Sequence, residues 1–585
     1  METVSRYTGR ILALIRRPFQ MKIIKRIFPD INVQNVLVSV CFLAVCINTQ
    51  QIQSNSWNSG MIEFCRDSLG VLMAVLLLTH YRWSDFTKYK VPYLVWTALG
   101  LMAGVVFVPT VIARRLDFLF ADTIVIALGI FLMGYCVIHT AISFFVEKHR
   151  SKFYYPLFLM WVVMLVLMIF SRSSYYWPLC YFVLFLTFYL TDQTAEQRTN
   201  VITGMINGMI LGYIAIQVHA LLCRPYDRLR YVGNFCNPNH NCMFLCMCLA
   251  AMLAKILFVV KKGGRKIEQI IYFLMAGTCY SFICMTMCRS GYLATFILTL
   301  FFLAAYCKVR EKKVFFRTGL LLVSIFVILF PTTYLAARYI PTIHPHVLFY
   351  FQEGYSEDRV HSWDARDSEK FVPFEAVLQG IFGRFGNLKN SWKNLSEAPV
   401  EEVGMEVENM STMQLAFSSA DFLTAVITTS GFEVQGEGKN LSKIPALTPT
   451  EAGNSLIVRY TIYKWYATHL SWRGMPYEDQ GFQMTEAHWI QDTHNIYLDY
   501  GINYGFPVMI LFAIFIWWGI GRLVRKGMAG GECETLACLF ITLIPPIFGL
   551  FEYSWGAGML STVAFYLAFK EMFVDIPRAV TRVRT

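Results

Sequence analysis

Apolar residues in this chain come in long blocks rather than in short alternating runs. The blocks lie near residues 34–51, 60–80, 91–110, 118–139, 154–171, 174–191, 200–222, 242–260, 267–287, 291–307, 318–335, 500–520, 534–551 and 556–573. A helix of about 20 residues spans a hydrocarbon core of roughly 30 Å. Lipid offers no water to satisfy open backbone groups, so such blocks predict helices. The alternation of an outer-membrane barrel strand is missing. The pattern predicts an all-α polytopic membrane protein with about 12–14 transmembrane helices.

The blocks stop between about Tyr334 and His494. This divides the chain into a basic tail (1–31), an N-terminal helix bundle (32–335), a large loop (336–493), C-terminal helices (494–573) and a short tail (574–585). The loop carries an acidic stretch, Ser396 to Glu402, and a Gly/Ser/Pro-rich link, Gly436 to Gly453. Ser455 to Tyr466 has the recurrence of an amphipathic helix, with Leu456, Tyr460, Tyr463 and Ala467 on one face. Trp363, Trp392, Trp465, Trp472 and Trp489 argue for packing rather than disorder. The loop is expected to form a partly helical cap on the mouth of the bundle.

Composition agrees with the membrane reading: 56% of the residues are hydrophobic and 15% are charged. Orientation follows from basic residues in short loops. They cluster in the N-terminal tail, at Lys261 to Lys266, at Lys308 to Lys313, at Arg522 to Lys526 and in the C-terminal tail. With fourteen spans all five clusters fall on one side, so both termini are expected in the cytoplasm and the large loop outside. Arg114, Arg115 and Arg172 are exceptions on the outer side. The net charge of +12 is then a topology signal and does not point to nucleic acid. The basic N-terminus lacks a cleavage site, so the first helix is expected to act as an uncleaved insertion signal. Most of the sixteen cysteines lie inside apolar spans and suit packing. Cys223 and Cys236 both fall on the outer side, where a disulfide can form.

Four charged groups recur at outer helix ends. Arg230 opens Arg230-Tyr231-Val232-Gly233-Asn234-Phe235-Cys236-Asn237-Pro238-Asn239, just before a span. Gly233 and Pro238 suit a tight turn, and the Asn side chains suit caps. Arg289 lies in the hairpin Cys288-Arg289-Ser290-Gly291. Arg459 lies on the amphipathic segment, and His494 with Asn495 stands where a span begins. Singly, each has a plain reading: a snorkelling anchor for Arg230 or Arg289, an exposed helix residue for Arg459, a polar cap for His494. Together, three Arg and one His on one face suit a substrate with two phosphates, because guanidinium matches phosphate oxygens in a fork and stays charged.

These segments resemble the O-antigen ligases and the related Wzy-type polysaccharide polymerases. The likeness rests on Arg230 to Asn239 (Arg-x-x-Gly-x-Phe-x-Asn-Pro-Asn), on Cys288 to Gly291, and on His494 to Leu498 with Gly501 after the large loop. It covers roughly Val201 to Phe573. Cys288 stands where the family has Ser or Thr, and the loop is long. Arg359 with Trp363 competes with Arg459 for the role of cap arginine.

The resemblance implies a multi-pass protein of the cytoplasmic (inner) membrane. It would transfer a glycan from an undecaprenyl-diphosphate carrier to an acceptor hydroxyl on a glycan or lipid-linked acceptor. It implies His494 as base, and Arg230, Arg289 and Arg459 as stabilisers of the leaving diphosphate. Asn237, Asn239, Asn495 and Arg473 would shape substrate binding. No cofactor and no metal are expected, and direct attack would invert the anomeric centre. Ligase and polymerase remain open. A transporter or flippase of lipid-linked glycans is the alternative; it predicts inverted repeats and broken midplane helices.

Overall fold

The fold is taken from a computed structural model. It describes residues 32–49, 68–79, 87–113, 119–148, 151–172, 185–222, 226–227, 230–235, 237–343, 373–383, 455–476, 479–485, 488–490, 493–552 and 559–573. Both tails, Arg114, Arg115, Cys223, Cys236, Arg359 and the loop from 384 to 454 lie outside the described residues.

The described chain is mostly helical. The helices are α1 (Val33–Thr49), α2 (Leu69–Leu78), α3 (Lys90–Ala113), α4 (Leu119–Ala141), α5 (Tyr155–Ile169), α6 (Ala195–Leu222), α7 (Pro238–Lys261), α8 (Lys266–Met285), α9 (Arg289–Arg310), α10 (Phe315–Ile343), α11 (Ser455–Thr468), α12 (Ile496–Tyr504), α13 (Phe506–Gly530), α14 (Cys533–Phe548) and α15 (Leu560–Phe573). Seven helices among the described residues are long and apolar enough to cross a membrane. Two short antiparallel ladders accompany them: β1 (Tyr226–Asp227) with β2 (Arg230–Tyr231), and β3 (Phe482–Thr485) with β4 (His488–Ile490).

Helix α7 is the centre. It is buried along nearly its whole length and packs on α6, α8, α9, α14 and α15. Its covered positions carry small and sulfur-bearing side chains such as Cys246, Cys248, Ala250, Ala251 and Ala254, which let five neighbours approach closely. Every described cysteine is a free thiol, and all but Cys284 and Cys307 are buried. The packing role expected for cysteine therefore holds for these residues. A second close contact joins α6 to α1, where Gly204, Gly208 and Gly212 form a stripe against Val38, Phe42 and Cys46.

The basic turns share one end of this bundle. Lys261 to Lys266 starts at the last residue of α7, Lys308 to Lys313 starts in the last turn of α9, and Arg522 to Lys526 lies in the last turns of α13. Lys261 Nζ donates to the Gly531 carbonyl after α13. The heads of α7, α9 and α12 lie at the opposite end.

Two expectations need correction. The block at 500–520 is not one span. It divides into α12 and α13 at Gly505, whose φ of 100° is in the left-handed region. The break seats the loop before α12 tightly: the Phe506 N–H donates to the Ser471 carbonyl at 3.0 Å, and the Met475 N–H to the Ile502 carbonyl at 2.7 Å. The amphipathic segment is helical as expected, but its buried face differs. Ile462, Trp465 and Tyr466 are buried, while Tyr460 is 40% exposed. Spacing alone allowed either stripe; Trp465 decides it by stacking on Phe482 of β3.

A Cβ at Gly505 would overlap the Trp472 carbonyl, whereas at Gly521 of α13 it would meet open space. Gly505→Ala should therefore lower stability by about 1–3 kcal/mol. Gly521→Ala, an ordinary helix position, should be neutral or stabilising by about 0.5–1 kcal/mol. Thermal unfolding in one detergent reads both, and changes of the same sign would refute the backbone argument.

Candidate functional site

At the end opposite the basic turns, polar groups from four segments meet around one carboxylate. Glu552 lies in the turn after α14 and is 3% exposed. Its Oε1 accepts from Asn239 Nδ2 at 2.7 Å and from Arg459 Nη2. Its Oε2 faces His494 Nδ1 at 3.5 Å. That separation is long for a hydrogen bond but short for charge interaction.

The two sides of this centre are built differently. On the α7 side, Asn237 caps the helix: its side chain accepts from the Asn239 N–H at 2.8 Å, and Pro238 fills the first turn, where no N–H is needed. Capping fixes Asn239 next to Arg230. Arg230 Nη2 donates to Asn239 Oδ1 at 2.5 Å, and Arg230 Nε to the Thr286 carbonyl at 2.8 Å. The Asn239 amide thus accepts from a guanidinium and donates to a carboxylate. An Asp there would lack the donor, and an apolar residue would lack both groups.

On the cap side, Arg459 of α11 also donates from Nη1 to the Phe551 carbonyl. One turn on, the Tyr463 hydroxyl lies 3.1 Å from the His494 carbonyl and 3.1 Å from the Leu550 carbonyl. Asn495 caps α12, accepting from the Tyr497 and Leu498 N–H groups at 2.9 and 3.0 Å. Its Nδ2 reaches the Leu550 carbonyl at 3.0 Å, and the Ile496 N–H reaches the Gly549 carbonyl at 2.8 Å. His494 is thereby strapped to the turn that carries Glu552.

Backbone conformation sharpens this picture. His494 has φ 49° and Met287 has φ 52°, a left-handed region that costs non-glycine residues energy. These two, of four such residues among the described ones, fall at the site: one bears the imidazole, and the other precedes Cys288 and Arg289; Lys148 and Glu311 lie elsewhere. Arg289 opens α9 and is half-buried. Its neighbour Cys288 lies within electrostatic reach of Glu552 and Arg459.

Burial alone would raise the Glu552 pKa. The His494 contact and the Arg459 guanidinium outweigh it and hold the carboxyl below its ordinary 4.5. Burial would likewise lower the Arg459 pKa, and Glu552 holds it above the ordinary value. Burial pushes the Tyr463 phenol up to about 12, so it stays a neutral donor.

The structure brings together Arg230, Asn239, Arg459 and His494, with Asn237 and Asn495 as the caps that place them. Arg473 is elsewhere. Its Nε donates to the Phe170 carbonyl at 2.8 Å and its carbonyl accepts from the Arg172 N–H at 2.8 Å, tying the loop to the end of α5. Glu552 is the residue that sequence reasoning missed. A signal existed: it is the one acidic residue between Glu534 and Glu571, at the end of an apolar block. An ionisable group so placed implies a partner.

No protein-family model, no curated protein and no solved structure matches the chain.

The depressed carboxyl links stability to pH. Glu552 contributes stability above its ordinary 4.5, and that contribution is lost as pH falls through the lower folded value. The thermal stability advantage of the wild type over Glu552→Gln should be largest near neutral pH and should vanish in acid. A constant advantage from pH 7 to pH 3 would show that Glu552 is not ionised in the fold.

Proposed function

We propose that this chain is a membrane glycosyltransferase of the O-antigen ligase or polysaccharide polymerase type. It takes a glycan from undecaprenyl diphosphate and passes it to an acceptor hydroxyl at the outer face of the cytoplasmic membrane. The supporting observation is the convergence of Arg459 from the loop region and His494 before α12 with Arg230 from the turn before α7, far from the basic turns. The motif order of Arg230 to Asn239, Cys288 to Gly291 and His494 to Leu498 adds the family likeness. The basic turns at the opposite end favour an outward site by the excess of Lys and Arg in cytoplasmic loops. The shorter apolar helices raise the expected number of spans toward 12–14, and the region 336–493 is the expected outer cap.

In this reading His494 accepts the acceptor hydroxyl proton as the oxygen attacks the anomeric carbon. The bond from that carbon to the phosphate oxygen breaks, and undecaprenyl diphosphate leaves with the electron pair. Attack opposite the leaving group inverts the centre. Arg230, Arg289 and Arg459 meet the charge that develops on the diphosphate. Guanidinium has five N–H donors. Arg459 commits one donor of Nη1 to the Phe551 carbonyl and one of Nη2 to Glu552, so further donors remain for phosphate. Such preorganised cations are worth more in a poorly solvated site than in water.

The test follows consumption of undecaprenyl-diphosphate-linked glycan in native membranes, at matched protein levels. His494→Ala should slow it by about 10²–10⁴-fold, as for loss of a general base. Arg230→Ala and Arg289→Ala should slow it by about 10²–10³-fold. The wild-type product separates ligase from polymerase. Normal turnover in all three variants would remove the catalytic assignment, and movement of intact donor across the bilayer without consumption would mark a transporter.

A further inference from the structure

The centre contains a carboxylate that the reaction above does not use directly. Its two oxygens do different work. Oε1 is committed to donors, Asn239 Nδ2 and Arg459 Nη2. Oε2 is turned to His494 Nδ1. The groups around it are Arg459 and Tyr463 from α11, Asn239 from α7, Cys288 at the head of α9, and His494 before α12.

We infer, resting on the transferase reading, that Glu552 is a positioning residue that holds His494 in the Nδ1–H tautomer and so makes Nε2 the proton acceptor. A neutral imidazole carries one proton and one lone pair. A lone pair on Nδ1 would face an anionic oxygen 3.5 Å away, whereas an N–H there meets it favourably. The His494 backbone is pinned by Tyr463 at its carbonyl and by the Asn495 cap beside it. Glu552 is pinned in turn by Asn239 and Arg459. Arg230, through Asn239, is the far end of the same chain of contacts.

The geometry makes a sharp forecast for Glu552→Gln. Arg459 and Asn239 both donate on the Oε1 side, so the glutamine oxygen belongs there. Its NH2 then faces His494 Nδ1. Two donors cannot share that contact, so Nδ1 must become the acceptor and the proton moves to Nε2. The substitution keeps size and shape but inverts the tautomer. Glu552→Asp keeps the charge and should keep the tautomer.

The test is ¹⁵N NMR of histidine-labelled protein in nanodiscs, at a pH where the imidazole is neutral, with the His494 signal identified by its loss in His494→Gln. Wild type and Glu552→Asp should show a protonated Nδ1 and a bare Nε2, and Glu552→Gln should show the reverse. The same tautomer in wild type and Glu552→Gln would overturn the inference. Donor turnover supplies a second reading. Glu552→Gln should lower it by at least about 10²-fold in the wild-type background but by less than about twofold in the His494→Ala background. Equal losses in both backgrounds would also overturn it, because the carboxylate would then act other than through His494. If the tautomer inverts while wild-type protein consumes no donor, the pairing stands and the transferase reading falls.

Discussion

The region around the site depends on one buried carboxylate. Taking Glu552 out of water carries a penalty of several kcal/mol unless partners replace the solvent. Asn239, Arg459 and His494 are those partners, and they come from three separate parts of the chain. Each partner is itself buried or half-buried and needs Glu552 in return. The loop region, the turn before α7 and the end of α14 are therefore held in one arrangement by mutual desolvation rather than by area alone.

The helix ends turn this constraint into geometry. Asn237 and Asn495 use the same device, a side-chain oxygen on the first amides of α7 and α12. Each cap fixes the register of a neighbouring functional group: Asn239 two residues on from the first, His494 one residue before the second. The strained φ values at His494 and Met287 lie in the same small region. Strain of this kind persists where surrounding contacts over-determine the backbone. Here the contacts are the Tyr463 hydroxyl on the His494 carbonyl and the Arg230 guanidinium on the Thr286 carbonyl.

The charge balance matters for chemistry. Arginines gathered at one site would repel each other and hold anions without discrimination. Glu552 offsets part of the charge of Arg459, while Arg230 is turned to a neutral amide and a carbonyl. The centre thus keeps positive character and also offers a histidine whose nearest charged neighbour is negative. In the proposed transfer, a leaving diphosphate and a proton-accepting imidazole would use those opposite environments side by side. The buried α7 supplies the rigid support, because it is packed on five helices and its head carries Asn237 and Asn239.

Much of this was legible in the sequence. Apolar block length is a local property, so the helices and most of their positions could be read directly. Caps are local too: Asn237 stands where the pattern put one, but at the start of α12 the cap is Asn495 and not His494, whose plain reading was a polar cap. Arg230 and His494 were visible as charges at the ends of apolar spans, out of place beside lipid, and Arg459 as a charge on the amphipathic segment. What the chain order did not show is that they share a partner. Glu552 lies 313 residues from Asn239 and 93 from Arg459, and such pairings come from helix packing, which no local pattern encodes. The buried face of α11 was decided in the same way, by Phe482 meeting Trp465. So was the break at Gly505, where a loop from residues 471–475 docks against the chain. Local sequence set which segments are helices and where their charges lie; tertiary packing alone set which charges meet.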